Sequence, residues 1–382
     1  MGTEGTKRPE GVERALGPRV CRPGVKTAGV ERLGALDQFR GYTVVGMLAV
    51  NFLGEFDVVP AILKHHNTYC SYADTIMPQF FVAVGLALRL TFARRLARDG
   101  LGAAYGRAVW RAFGLVLLGV VYHGVGGRAA TWEELERLGL VGALGQAFGR
   151  DPFQALVHIG LTALWVTPVA GASWPWVLGY GAASATLYVV MLKGFYFDYA
   201  WNRPVIDGGP LGFMGWAVPT IVGMLAYDVV MRVGGRRSVG WLLAGGVGLM
   251  VLGQAMTGLS GAGFAPLPFV EPEAGREVGL WTMSQRTVSI SYMTFSAGWS
   301  LVVLAGFVWA GEGRGWEVPV FRTFGSNALA AYVLHGMVAE AVIRYAPRDA
   351  PGWYVAVAAM VYLGICWVLV RGLERRGIYV RI

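Results

Sequence analysis

Runs of about twenty mostly apolar residues recur along this chain, at 36–55, 73–93, 108–126, 153–171, 174–192, 213–231, 239–258, 288–310, 324–343 and 352–370. A run of that length suits the hydrocarbon core of a bilayer, and a helix satisfies every backbone N–H and C=O there without water. The sequence therefore predicts an all-α fold, a polytopic transmembrane helical bundle of about ten spans. Charged residues make up only 15% of the 382, and apolar residues 55%, where a soluble domain carries about a quarter charged. Intrinsic disorder, a disulfide scaffold and an ordinary cytosolic enzyme are poor descriptions of such a chain. Its 56 glycines are no obstacle, since small residues let transmembrane helices approach closely.

The net charge of +9 does not point to nucleic acid. Lys and Arg sit between the apolar runs, where topology signals sit, and no basic face is interleaved with aromatics. Residues 1–32 are rich in Lys, Arg, Gly and Pro and have no apolar stretch, which predicts a disordered basic cytoplasmic tail rather than a signal peptide. The rest, 33–382, reads as one transmembrane domain. Cys21, Cys70 and Cys366 are far apart and lack metal-ligand spacing, so neither a disulfide framework nor a metal site is expected. Residues 132–149 form an amphipathic segment suited to a membrane surface. The stretches 193–212 and 259–287 are the longest outside the spans, and no internal repeat is evident. With the N-terminus inside, most of the 33 Lys and Arg fall on the inner side, including Arg94, Arg95, Arg98, Arg236 and Arg237. Both termini are thus predicted cytoplasmic. His65, His66, His123, His158 and His335 then all fall on the outer side.

Ionisable and strongly polar residues inside spans are costly and need a reason. Asp37 and Arg40 open the first span at its inner end, spaced to pair on one helix face or to form a cationic site for an anionic cytosolic ligand. Asn51 lies near the outer end of that span. His65 and His66 precede Asp74 by nine and eight residues. A carboxylate at that helix start suits orienting an imidazole and raising its basicity, or simply serving as an N-terminal anion near Pro78. In the ninth span Asn327, Ala331 and His335 share a face at i, i+4 and i+8, beside Gly325 and Tyr332. Such a polar stripe belongs in a bundle interior, as a binding surface or as interhelical glue. No phosphate-binding loop, nucleophile elbow, zinc-protease motif or dinucleotide fingerprint is present. Intramembrane acids are few, chiefly Asp37, Asp74 and Asp228, which counts against a proton-coupled pump.

Taken in order, these motifs resemble the transmembrane acyltransferase family of heparan-α-glucosaminide N-acetyltransferase and its bacterial relatives. Arg32-Leu33-Gly34-Ala35-Leu36-Asp37-Gln38-Phe39-Arg40-Gly41 with Asn51 is similar to the family's R-L-x-S-L-D-x-F-R-G and the Asn closing that helix. His65 or His66 with Ala73-Asp74 and Pro78 is similar to its His, A-D and Pro. Ser289-Ile290-Ser291-Tyr292 is similar to its S-L-S-Y, and Gly325-Ser326-Asn327 with Tyr332 and His335 to its G-x-N, Tyr and His. The likeness spans roughly residues 32–345. The family's catalytic His lies closer to the first-span Asn and further from the Asp than here, so His65 and His66 both stand. The human enzyme has one more span than is counted here and a long lumenal N-terminal domain that this sequence lacks.

The resemblance implies a membrane-embedded acetyltransferase that uses acetyl-CoA as donor and needs no metal. Arg40, with Arg94 and Arg95, would meet the donor's phosphates from the cytoplasm. His65 or His66, oriented by Asp74, would be general base or acyl carrier. Asn51, Asn327 or His335 would bond the thioester oxygen as negative charge develops on it. The implied partners are acyl-CoA, a sugar or glycan acceptor offering an amine or hydroxyl, and the lipid bilayer, with a homodimer as a candidate assembly. The implied location is a bacterial inner membrane. Two other readings use the same residues without chemistry: a polytopic transporter of a sugar or lipid-linked precursor, and a membrane-embedded partner subunit whose histidines are structural.

Overall fold

A computed structural model describes residues 34–123, 131–150, 152–203, 207–260, 264–272 and 277–380. The predicted tail at 1–32, with Cys21, lies outside them. The described residues form helices and no strand: α1 Gly34–Leu53, α2 Tyr72–Asp99, α3 Leu101–His123, α4 Trp132–Arg150, α5 Ala155–Val166, α6 Trp174–Met191, α7 Phe197–Trp201, α8 Phe213–Val233, α9 Gly235–Thr257, α10 Ile290–Arg314, α11 Pro319–Ser326, α12 Ala328–Ile343 and α13 Gly352–Arg375. Among the described residues, seven helical segments are long and apolar enough to cross a membrane: α2, α3, α6 with α7, α8, α9, α10 and α13. The bent pair α11–α12 makes an eighth if it counts as one span. The described residues are thus all-helical, with seven or eight segments able to cross a membrane, the pattern of a multi-pass membrane protein.

Four of the predicted runs take a different form. The run at 36–55 becomes α1, which has the length but carries Asp37 and Arg40 and falls short in apolarity. The run at 153–171 yields only a 12-residue helix, α5, because the chain tightens into a 3₁₀ turn at Thr167–Val169 around Pro168. The helix predicted to stop at 192 continues through a π-turn, Leu192–Tyr196, into α7, so nine residues taken for loop remain helical. The run at 324–343 is broken, with α11 and α12 meeting at 98°.

The burial pattern separates inner from outer helices. The apolar windows of α2, α8 and α10 are 61%, 67% and 61% buried, and those of α3 and α9 only 17% each. Exposed Trp110, Leu117, Trp241 and Val251 lie on these outer helices, as lipid-facing side chains should. Close approach inside depends on glycine. A Cβ on Gly41 would sit 1.7 Å from the Phe321 carbonyl oxygen, and one on Gly325 would sit 1.8 Å from that of Asp37; α1 and α11 therefore touch backbone to backbone. Gly85 and Gly223 allow the same between α2 and α8. The intramembrane acid Asp228 is held by Arg89, whose Nε and Nη2 donate to its two carboxylate oxygens at 3.0 and 2.9 Å. Arg89 also donates to the Ala170 and Ala172 carbonyls beyond α5. A charge pair this well satisfied is a clamp joining α2, α8 and the end of α5.

Candidate active site

The start of α2 fixes the first functional group. Ser71 is its N-cap: the Ser71 hydroxyl accepts from Asp74 N–H at 3.2 Å, and Asp74 Oδ2 accepts from Ser71 N–H at 3.0 Å, a complete capping box. Such a box satisfies backbone donors that a helix start leaves unpaired. The Asp74 carboxylate, 1% exposed, has a second task. Its Oδ1 accepts from His65 Nδ1–H at 2.9 Å, and the His66 backbone N–H donates to Oδ2 at 3.3 Å. The Tyr292 hydroxyl donates to the Asp74 carbonyl from α10. With the Nδ1 proton committed to Asp74, the lone pair of His65 resides on Nε2. His66 is employed differently: its Nε2–H donates to the Ala61 carbonyl at 2.8 Å and its ring stacks on Tyr69 at 4.5 Å. Of the two candidate histidines, only His65 is oriented through its ring by Asp74.

His65 borders a cavity of about 450 Å³, and Asn51 from α1 and His335 from α12 border the same space. Three residues singled out from sequence therefore converge. The His335 Nδ1–H donates to the Tyr332 carbonyl one turn back. Tyr122, Gln154, Asp207, Gln285 and Tyr332 complete the polar lining. Sequence reasoning missed Asp207 and Gln285, which come from the two long stretches between spans. Gln285 Nε2 donates to Asp207 Oδ1 at 3.2 Å, and the Trp216 indole N–H donates to the Asp207 carbonyl at 3.1 Å. The turn bearing Gln285 ends at buried Val288 with φ 51°, a conformation costly for a β-branched residue. It closes through Val288 N–H to Gln285 C=O and Ser289 N–H to Ser284 C=O.

Charge in this cavity is displaced from ordinary behaviour. Burial works against a proton on His65, but the hydrogen bond and charge of Asp74, with Asp207 adding to them, hold its pKa above the usual imidazole value. Asp207 is pushed up to about 6, chiefly by burial, against the opposing pull of Gln285 and of His65.

A second cavity of about 660 Å³ adjoins the first, and Phe80, Ile159 and Tyr332 line both. Its other end is strongly basic, bordered by Arg40, Arg94, Arg95, Arg107 and Arg111, with Asp37 among them. Arg107 and Arg111, one turn apart on α3, were not anticipated. The Arg40 Nη2 pairs with Asp37 Oδ1 at 2.9 Å, and its Nε donates to the Gly325 carbonyl at 2.7 Å; Arg40 thus ties α1 to α11 as well as facing the cavity.

The polar stripe expected from Asn327 to His335 does not form. Asn327 sits at the break between α11 and α12, with φ −133° and ψ 46°, so it shares no helix face with His335. Its side chain is spent on the C-terminal segment: Nδ2 donates to the Ile378 carbonyl and Oδ1 accepts from Val380 N–H, both at 3.0 Å. Asn327 borders neither of the two cavities. Nor does His158, which is fully buried on α5. His123 ends α3, and its side chain lies outside the described residues. Among the described residues no cluster of three His, Cys, Asp or Glu is placed to hold a metal ion. No family model matches the chain, and no curated protein matches it.

Proposed function

We propose that the protein is a membrane-embedded acyltransferase that moves an acetyl group from cytosolic acetyl-CoA to an acceptor on the outer side of the membrane. One observation carries this reading: a histidine with its ring oriented by a buried carboxylate stands in a cavity that adjoins a second one walled by arginines. The arginine end suits the phosphates of CoA. The largely apolar wall shared by the two cavities, Phe80, Ile159 and Tyr332, suits the pantetheine arm, and His65 Nε2 suits a general base at the thioester. Asn51 is the side chain available to bond the oxygen on which charge develops. In this reading ten segments, α1 and α5 included, lie within a plasma membrane of bacterial type, with both termini and the arginine cavity on the cytoplasmic side. The resemblance to the heparan-α-glucosaminide N-acetyltransferase family supports the same chemistry.

The test is CoA release by the purified chain in detergent, given acetyl-CoA and glucosamine. The expected result is release that is lost in His65→Ala and retained in His66→Ala. Equal release by wild type and His65→Ala would contradict the role of His65. A burst of CoA release without acceptor would make His65 an acyl carrier rather than a base. Transport is the second reading, favoured by the 98° break between α11 and α12, a device that carriers use at substrate sites. It predicts substrate flux into vesicles without consumption of CoA.

A further inference from the structure

The His65 cavity holds a second acid that the chemistry above leaves idle. Asp207 is 7% exposed. Gln285 bonds one of its carboxylate oxygens, while no hydrogen bond to the other and no ion pair is found among the described residues. Bordering residues of this cavity include no Lys or Arg. The groups around Asp207 are His65 from the loop before α2, Tyr292 on α10 and Tyr332 on α12, each of which feels its charge. Arg203, four residues earlier, donates to the Tyr199 hydroxyl at 2.8 Å and lies over the rings of Phe153 and Tyr199. The cavity therefore sets Asp207, with Asp74 directly behind His65, against two imidazoles: His65, already paired with Asp74, and His335 on α12, whose Nδ1–H donates to the Tyr332 carbonyl. A buried space with excess negative charge is complementary to a cation.

We propose that Asp207, braced by Gln285, seats the acceptor as an ammonium ion and takes its first proton. This rests on the acyltransferase reading for its chemistry, though not for the binding itself. An ammonium has no lone pair and must be deprotonated before it attacks. It passes one proton to the Asp207 carboxylate and becomes the free amine. The nitrogen lone pair then attacks the thioester carbonyl carbon, the N–C bond forms, and a second proton goes to His65 Nε2. The C–S bond breaks with its electron pair leaving on sulfur, and the thiolate takes the proton from His65. Asp207 returns its proton to water. The sum is acyl-CoA plus ammonium giving amide, CoA thiol and one proton. The elevated proton affinity of Asp207 suits this exchange near neutral pH.

The probes are glucosamine and glucose, which differ by an ammonium in place of a hydroxyl. Binding of each to the full chain in detergent is measured calorimetrically for wild type and Asp207→Asn. The proposal expects wild type to prefer glucosamine by about tenfold or more, and Asp207→Asn to lose that preference while keeping glucose binding. Where turnover is measurable, the acid limb of the Asp207→Asn pH–rate profile moves up toward the amine's own pKa. Activity then recovers as the free amine becomes abundant, which a merely structural residue would not produce. Equal binding of the two sugars by wild type, or a preference that survives in Asp207→Asn, overturns the proposal. A preference that Asp207 controls, with no CoA release by wild type, upholds the ammonium seat and refutes the acyltransferase reading. Gln285→Leu serves where Asp207→Asn does not fold. Losing the Gln285 hydrogen bond raises the affinity of Asp207 for its proton, so the glucosamine preference should set in at higher pH. An unmoved midpoint also overturns the proposal.

Discussion

His65 and His66 are neighbours in sequence with separate duties in the fold, and the difference lies in what each ring can reach. His65 meets Asp74 side chain to side chain, whereas only the backbone N–H of His66 does. His65→Ala should therefore reduce transfer by about 10²–10⁴-fold, the usual loss for a positioned general base, and His66→Ala by far less, as measured by CoA release. Asp74→Asn separates orientation from basicity and has a pH signature with a definite sign. A base must be unprotonated to act, so the raised pKa of His65 places the acid limb of kcat/KM above the ordinary imidazole value. Asparagine removes the two larger raising causes, the hydrogen bond to the carboxylate and its charge, and leaves burial, which lowers the pKa, opposed only by the smaller effect of Asp207. The acid limb should move to lower pH even as the maximal rate falls; a limb that stays or rises would disconnect Asp74 from His65. The sequence spacing made this pairing legible, since either imidazole lies within loop reach of Asp74. Choosing between the two was beyond it, because the choice depends on the Ala61 carbonyl and the Tyr69 ring, which only the folded loop brings to His66.

Elements meet here through glycine and through a break. An added Cβ at Gly41 or Gly325 would collide with a carbonyl oxygen on the facing helix, and neither backbone can yield without separating α1 from α11. Gly41→Ala should lower stability in detergent by about 1–3 kcal/mol or more. Gly102→Ala, with nothing within 4 Å of the added carbon, is the control expected to change little; thermal unfolding of the two variants reads the contrast. At the break, Asn327 holds the C-terminal segment by two hydrogen bonds. Asn327→Ala should forfeit about 1 kcal/mol for each and speed amide exchange around residues 376–380, with little effect on the His65 cavity. A stripe at i, i+4 and i+8 is a sound inference for a continuous helix, which is why Asn327 and His335 were expected to face the same space. Apolar periodicity does not reveal a right-angled break, because both halves remain apolar. The inner and outer character of the helices was likewise hidden, since α9 and α10 are equally apolar, yet 17% and 61% buried.

In an acyltransferase the two adjoining cavities would form one path through the whole molecule, from the arginine-lined end to the imidazole of His65. Membrane character was legible from composition and run length alone. The path was not, because it draws on residues as far apart in sequence as Arg40, Arg111, Asp207 and Gln285, and the two long inter-span stretches showed no motif. If the arginines hold the donor's phosphates, Arg107→Gln with Arg111→Gln should raise KM for acetyl-CoA about tenfold or more with kcat little changed, the mark of lost uniform binding. The wild-type affinity should also weaken as salt rises. The most direct measurement is a cryo-EM structure of the full chain with a non-hydrolysable acetyl-CoA analogue. The expected result is phosphate density among Arg94, Arg107 and Arg111, pantetheine passing Phe80 and Tyr332, and the acyl carbon beside His65 Nε2. Density for the donor elsewhere, or an acyl group that does not pass the shared wall at Phe80, Ile159 and Tyr332, would contradict it.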